Sequence, residues 1–283
     1  MIDILLSTYN GEKFIEAQLK SIFTQTNRNF KLLIRDDNSI DNTIEILKKW
    51  KIKFPKQIEI FKGENNLGAK ESFNWLLQKS EAEYIMFCDQ DDVWLDNKIG
   101  TTLLKMKEYE ALYPNLPILI HTDLTVVNEN LQSIKKSFLD NIFLSGRFNS
   151  LKFYLIGNNV TGCTVMINKK CLELVSFIPE KALMHDWWLA LFCSLKGMIG
   201  FIDIQTILYR QHRNNKVGAS SSISKLSSIR HYIKAIKSQS DCFCEIHKMR
   251  KLNTFLIITY KIYYHLRWLL LYVRKKWIKI KRK

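Results

Sequence analysis

Apolar positions in the first half of the chain fall into two alternating rhythms. Short continuous apolar runs at Ile2–Leu6, Lys31–Ile34, Ile58–Phe61, Tyr84–Cys88 and Ile118–Ile120 predict buried strands. Between them, Gly11–Thr24, Asn42–Phe54, Ala69–Lys79 and Asn97–Tyr113 space their apolar residues by three and four, which predicts helices. Strands alternating with helices imply crossover connections, and hence an α/β fold with a mostly parallel sheet covered on both faces. Such sheets bind ligands at the carboxyl ends of their strands. Polar clusters stand at those ends here: Ser7-Thr8-Tyr9-Asn10 after the first strand, Asp36-Asp37-Asn38-Ser39 after the second, and Asp89-Gln90-Asp91-Asp92 after the fourth. From Asn141 to Ala219 the pattern is mixed, with strands expected at Thr161–Ile167 and Phe201–Tyr209 and a helix at Asp186–Leu195. A serine run, Ser220-Ser221-Ser222, then divides a main domain of residues 1–219 from a helical, basic extension of residues 220–283.

Composition narrows the class. A chain of 283 residues with 47% hydrophobic and 25% charged residues can bury a real core, and ten glycines with four prolines exclude a fibrous or low-complexity chain. The formal charge of +16, from 43 Lys and Arg against 27 Asp and Glu, calls for an anionic partner: nucleic acid, an acidic membrane surface or phosphorylated substrates. Six cysteines show neither CxxC pairing nor zinc spacing, and the first residues lack a signal peptide's basic start and cleavage site. Reduced thiols in a cytoplasmic protein are therefore expected.

Four clusters carry chemistry. Asp89, Asp91 and Asp92 repel one another and raise each other's pKa values unless a cation lies among them. Hard oxygen ligands at a strand end suit Mg²⁺ or Mn²⁺ bridging a diphosphate; the plain alternative is a solvated acidic turn. Asp37 is placed to accept a hydrogen bond from a pyrimidine N–H or a ribose hydroxyl, whereas Ser39 and Asp41 are accounted for by helix capping. Met184-His185-Asp186-Trp187-Trp188 sets one carboxylate beside large aromatics, suiting a general base over a sugar-stacking floor, or equally a helix cap beside ordinary core. Tyr209-Arg210-Gln211-His212-Arg213-Asn214-Asn215 gathers donors for a departing diphosphate, or forms a solvated basic loop.

In this order the motifs resemble inverting family 2 glycosyltransferases with the nucleotide-diphospho-sugar (GT-A) fold, and within them the bacterial rhamnosyltransferase-like branch that builds surface polysaccharides. The matching stretches are Leu6–Gly11, Arg35–Ser39 with Asp41 and Thr43, Asn65–Gly68, Phe87–Trp94, Asn159–Thr164, His185–Trp188 and Tyr209–His212, within residues 1–219. The resemblance implies that Ser7, Thr8 and Asp37 hold the nucleotide base and that Asp89 faces the ribose. It implies Asp91 as the main ligand of Mn²⁺ or Mg²⁺, with Asp89 and Asp92 beside it, and Asp186 as the base for a single in-line displacement. Asn159, Thr161 and Gly162 would line the sugar pocket, and Arg210 or His212 would meet the diphosphate. Tyr9, Asn10, Glu12, Asn66, Gly68, Trp94, Lys98, His185 and Trp187 complete the implied substrate contacts. Implied partners are a dTDP or UDP sugar and a saccharide acceptor, lipid-linked in that branch. Two departures stand out: Leu95-Asp96-Asn97-Lys98 lacks the proline common after the tryptophan, and Arg213 replaces a common glycine.

The tail, Arg250–Lys283, is apolar but broken by Lys261, His265 and Arg267, each charge costing ~2.5–3.5 kcal/mol at a bilayer centre, which argues against a spanning helix. An interfacial helix with a polybasic end fits better, held to the inner leaflet of the plasma membrane by ~1 kcal/mol per Lys or Arg near anionic lipid. The alternative is a helix packed on the main domain. Nucleic-acid binding fits poorly, since the aromatics sit among aliphatics rather than on a basic sheet. Rival functions are a haloacid-dehalogenase-type phosphatase with Asp89 as nucleophile, for which no late acidic pair is found, and an inactive membrane-bound scaffold. A sugar nucleotidyltransferase would need a glycine-rich loop that Ser7–Asn10 does not supply.

Overall fold

Burial on both faces explains why the first strands read as unbroken apolar runs. In the computed structural model, which describes residues 1–141, 144–175, 177–212, 226–264 and 266–267, β1 (Ile2–Thr8) lies between β2 (Phe30–Asp36) and β4 (Tyr84–Asp89). β3 (Ile58–Lys62) flanks β2, and all four strands are parallel. Ile4 and Leu6 enter one core layer and Leu5 the opposite one, as a side-chain period of two requires. All three are fully buried, each contributing ~1.5–3 kcal/mol. α1 (Ile15–Phe23), α2 (Thr43–Lys53) and α4 (Lys98–Leu112) cover the first face; α3 (Ala69–Leu77) and α8 (His185–Lys196) cover the second.

Beyond β4 the sheet continues through antiparallel β8 (Met166–Asn168) to β6 (Ile118–Val127), then β9 (Met198–Arg210), parallel to β6, and β5 (Val93–Trp94) at the edge. β7 (Ser133–Lys135) pairs with β6. The expected strand at Thr161–Ile167 is instead a 3₁₀ turn, Gly162–Thr164, leading into β8. Thr164 causes the curl: its amide and hydroxyl both donate to the Thr161 carbonyl, at 2.8 and 2.7 Å. Short helices α5 (Phe138–Asn141), α6 (Leu151–Tyr154) and α7 (Lys169–Val175) fill the connections. The six cysteines are free thiols, with the Cys171 and Cys193 sulfurs 3.4 Å apart.

The C-terminal extension shares the core of the main fold. Ile236, Phe243 and Cys244 of α9 (Leu226–Ile246), and Ile257 and Tyr264 of the helix at residues 254–264 (α10), are buried in the layer that holds α8. Phe243 meets Trp188 edge-on at 5.3 Å, and Gln239 accepts the Leu183 amide at 2.7 Å. The expected junction Ser220–Ser222, the loop Arg213–Asn215 and the polybasic Arg274–Lys283 lie outside the described residues. Among the described residues no helix is long and apolar enough to cross a membrane.

Candidate active site

Strand register builds the floor of the site. Ser7 stands opposite Arg35 on one side and Asp89 on the other, and Thr8 opposite Asp36, all at the carboxyl edge of the sheet. The loops after β1 and β2 are then stitched together. Asn10 and Asn38 take left-handed backbone (φ 46° and 66°), a conformation asparagine tolerates. Asn10 donates its amide to Ser39 Oγ (2.9 Å) and accepts from the Ile40 amide (3.0 Å), while Glu12 accepts from the Asn42 amide and side chain (2.9 and 2.8 Å). Asp36 accepts from the Thr8 and Ser39 hydroxyls (2.9 and 2.6 Å). A reciprocal pair joins Tyr9 to Gln90: Gln90 Oε1 accepts the Tyr9 amide (2.8 Å) and Nε2 donates to the Tyr9 carbonyl (2.9 Å). The Tyr9 ring itself is exposed above this platform.

Asp37 is buried and spends its oxygens on protein. It accepts from Arg35 and from the amides of Leu67 (2.8 Å) and Gly68 (2.7 Å). Burial pulls its pKa upward, but these donors outweigh that and hold the carboxyl below its ordinary value. Gly68, at φ 83°, lets the chain turn so that its amide meets Asp37; Asn66 braces the same amide at 3.1 Å. Asp37 therefore shapes the loop of residues 66–68, and the implied contact with the base shrinks to what remains of Oδ2.

The three acidic residues at the end of β4 and just beyond it differ in burial and in partner. Asp92 is fully buried; its Oδ1 accepts the Arg210 amide (3.2 Å), and Oδ2 has no hydrogen-bond partner. Asp89 is half-buried, and donor atoms of Asp89, Asp92 and Cys163 lie within 4.8 Å of one another. Asp91, outside that group but close enough to act on both carboxyls, meets His212 Nε2 at 2.8 Å, with side chains 15% and 10% exposed. Burial, then Asp91 and Asp186, push Asp89 up to about 7; burial with Asp91 and Asp89 raises Asp92 as well. Burial also raises Cys163, which stays a neutral thiol, so the hard carboxylate oxygens are the donors on offer. Carboxylate oxygens packed this closely, with Asp89 and Asp92 raised by burial and by neighbouring carboxylate charge, are a donor set that fits a divalent cation.

Asp186 sits in the first turn of α8, where the helix N-terminus favours negative charge. The Trp187 amide donates to its Oδ1 at 2.6 Å, yet burial pushes the carboxyl up to about 7. Its link to the acidic cluster is Gly162–Cys163. A Cβ on Gly162 would lie 2.6 Å from His185 Nε2 and 3.6 Å from Asp186 Oδ2, so only glycine admits this approach. Cys163, the next residue, belongs to the Asp89–Asp92 group. Asp186 also helps raise the pKa of Asp89, so the two carboxyls are near enough to feel one another's charge.

Several expected contacts are corrected. Trp187 and Trp188 form no exposed floor: both are core, with Trp187 Nε1 donating to the Tyr154 carbonyl at 2.6 Å. Asn159 is consumed by the Ser145 and Phe148 carbonyls and the Tyr154 hydroxyl (2.6, 2.9 and 2.8 Å). Arg210 is turned inward over the Phe14 ring (4.7 Å), donating to the Asp91 carbonyl at 2.8 Å and to the Glu129 carbonyl. Trp94 and Lys98 are buried beneath the cluster, the Lys98 ammonium 4.7 Å above the Trp94 ring with no hydrogen-bond partner. Burial lowers Lys98 to about 8, while Cys163, Cys88 and Asp92 oppose the fall. His185 is enclosed by Phe73 and Phe87 (4.3 and 4.9 Å), and burial drives it to about 3, leaving a neutral ring. Ser7, Thr161 and His212 stay half-buried at the opening. Gln90 and Cys163 also belong to this site, one joining the loop after β1 to the acidic segment and the other beside Asp89 and Asp92, and each lies within a motif the sequence displays.

Comparison with known proteins agrees with this architecture. The family model for glycosyl transferase family 2 matches residues 3–173. The dTDP-rhamnosyl transferase RfbG of Shigella flexneri is 32% identical over 77% of this chain and 75% of its own. The Escherichia coli UDP-Glc:alpha-D-GlcNAc-diphosphoundecaprenol beta-1,3-glucosyltransferase WfgD is 31% identical over 42% of this chain, which spans 47% of that relative. Among solved structures, S. aureus TarS in complex with UDP-GlcNAc superposes with a TM-score of 0.60 at 18% identity, covering 84% of this chain and 66% of that one. The mannosyltransferase PcManGT from Pyrobaculum calidifontis, in complex with GDP-Man and Mn²⁺, does so at 0.55 and 13% identity, over 94% and 80%. At such identities the likeness is one of fold: GT-A.

Proposed function

The chain belongs to glycosyl transferase family 2, and from that premise we propose that it transfers a sugar, rhamnose favoured, from a dTDP or UDP donor to a hydroxyl of a lipid-linked saccharide. The setting is bacterial surface polysaccharide synthesis at the cytoplasmic face of the plasma membrane. The observation that carries the reading is the meeting of Asp186 with the acidic cluster across Gly162–Cys163. RfbG is named for a dTDP-rhamnosyl donor and WfgD for a diphosphoundecaprenol acceptor, which supports the finer assignments here.

In this reading Asp186, ionised, accepts the proton of the acceptor hydroxyl as its oxygen bonds to the anomeric carbon. The bond to the nucleotide diphosphate breaks on the opposite face, and the anomeric configuration inverts. A carboxyl near 7 is matched to that task at neutral pH. Asp89 and Asp91, with Asp92 behind them, would hold Mn²⁺ or Mg²⁺, which when bound neutralises charge on the leaving diphosphate. The stitched loops of Ser7–Asn10 and Asp37–Ser39 give the nucleotide a rigid bed, and Tyr9 an exposed ring against which a base can lie. His212, at the opening beside Asp91, is the nearer donor for the diphosphate, since Arg210 is engaged inside.

Thermal melting with a panel of nucleotide sugars, each with and without Mn²⁺, tests the assignment. The true donor with its cation stabilises the native state by ~2.7 kcal/mol at about 100 times its Kd. No shift with any dTDP or UDP sugar would sink the reading. Gly162→Ala is expected to keep donor binding and lose ~10²-fold in transfer, because the new methyl collides with the His185 ring, and displacing that ring shifts the neighbouring Asp186. Steady-state kinetics with a melting curve check this; unchanged kcat would separate Gly162 from the base's placement.

A further inference from the structure

α10 carries two apolar stripes on opposite sides. Ile257 and Tyr264, seven residues apart, are buried, with the Tyr264 ring 5.4 Å from Phe148 and 5.1 Å from Phe153. Phe255, Ile258 and Ile262 recur at spacings of three and four on the other side, and are 75%, 40% and 57% exposed; Leu266, past the end of α10, is 58% exposed. Tyr263 borders that stripe at 52%. A helix that only packs on its own domain needs one apolar face, and a contiguous exposed stripe of large side chains marks an interaction surface.

Charge selects the occupant. From Arg250 to Lys283 the sequence has eleven Lys and Arg and no Asp or Glu. A second copy would bring this basic segment against itself, because a two-fold interface pairs each patch with its own kind. An anionic bilayer offers an apolar layer for the stripe and negative headgroups for the cations in one surface.

We propose that the outer stripe of α10 seats in the headgroup boundary of an anionic membrane and sets the height of the active site above it. This rests on the lipid-linked acceptor proposed above and specifies the surface that would meet its bilayer. The link to the site is covalent and hydrogen-bonded throughout. The Tyr264 hydroxyl meets Ser150 Oγ at 2.8 Å, and Ser150 caps α6. The Tyr154 carbonyl at the end of α6 accepts Trp187 Nε1 at 2.6 Å, and Trp187 adjoins Asp186. Seating α10 thereby fixes the orientation of α8 relative to the lipid surface, where a lipid-anchored saccharide is confined.

Co-sedimentation of the full chain with vesicles of equal parts phosphatidylglycerol and phosphatidylcholine, and of phosphatidylcholine alone, tests this. The parent is expected to pellet with the anionic vesicles. Phe255→Glu with Ile262→Glu should pellet ~10-fold less, while keeping the parent's melting temperature and nucleotide-sugar melting shift. The milder pair Phe255→Ser with Ile262→Ser serves if the first melts early. Variants that pellet as the parent does would overturn the stripe as the seat and leave the basic tail alone responsible. A parent that runs as a dimer in light scattering, broken by the same substitutions, would overturn it in favour of a second copy. Neither result touches the donor-binding shift, so failure here is separable from failure of the transferase reading.

Discussion

An Asp186→Asn variant is expected to bind the nucleotide sugar with the parent's affinity while transfer falls by ~10²–10⁴-fold. Asparagine keeps the shape, and its Oδ1 can still accept the Trp187 amide that holds the carboxylate at 2.6 Å. It offers no oxygen basic enough to take a proton from the acceptor. Single-turnover transfer beside calorimetric donor binding reads the two effects separately; turnover within tenfold of the parent would remove Asp186 as the base. The parent's pH profile carries the matching sign. Burial raises this carboxyl to about 7, so it is protonated and idle on the acid side and ionised on the alkaline side. Transfer should fall about tenfold per unit of pH below that point and level off above it, and the variant should lose the inflection.

Asp91→Ala is expected to weaken cation-dependent binding of a nucleoside diphosphate by at least ~100-fold, since even supporting groups around a metal cost 10–100-fold. Titration calorimetry with Mn²⁺ checks this, and an unchanged affinity would take Asp91 out of the cation site. A stability measurement accompanies it. Asp89 and Asp186 both have folded-state values raised to about 7, above their unfolded range. In the metal-free protein these two groups therefore contribute stability that is present in acid and is lost as pH rises through about 7, when the buried carboxyls must ionise. A cation removes that penalty, so the melting shift on adding Mn²⁺ should be larger well above pH 7 than well below it.

The parallel half of the sheet and the acidic cluster were legible because each follows from local pattern. Buried strands are apolar throughout, and Asp89–Asp92 directly follows one of them. What escaped depends on contacts between distant segments. β5 and β7 span two and three residues, too few to display a period. Arg210 reads as a free cation until the carbonyls of Asp91 and Glu129 arrive from two other loops. Asn159 and Trp187 look like sugar contacts by type, but α6 lies between them and claims their polar atoms. Asp37 looks like a ligand-facing carboxylate until the backbone of residues 67–68 folds onto it. Polar residue type announces a bonding capacity; only the assembled fold decides whether that capacity is spent inward.

The packing of α9 and α10 bears on how far the chain can be shortened. Trimming the chain at Ala219 strips Phe243 from Trp188, and trimming after Ser240 removes Phe243, Ile257 and Tyr264 together, baring the wall that supports α8. Shortening would then trade one sticky surface for a larger one. Recolouring Phe255 and Ile262 alone leaves that wall intact, so solubility and catalytic integrity can be adjusted independently by substitution but not by truncation.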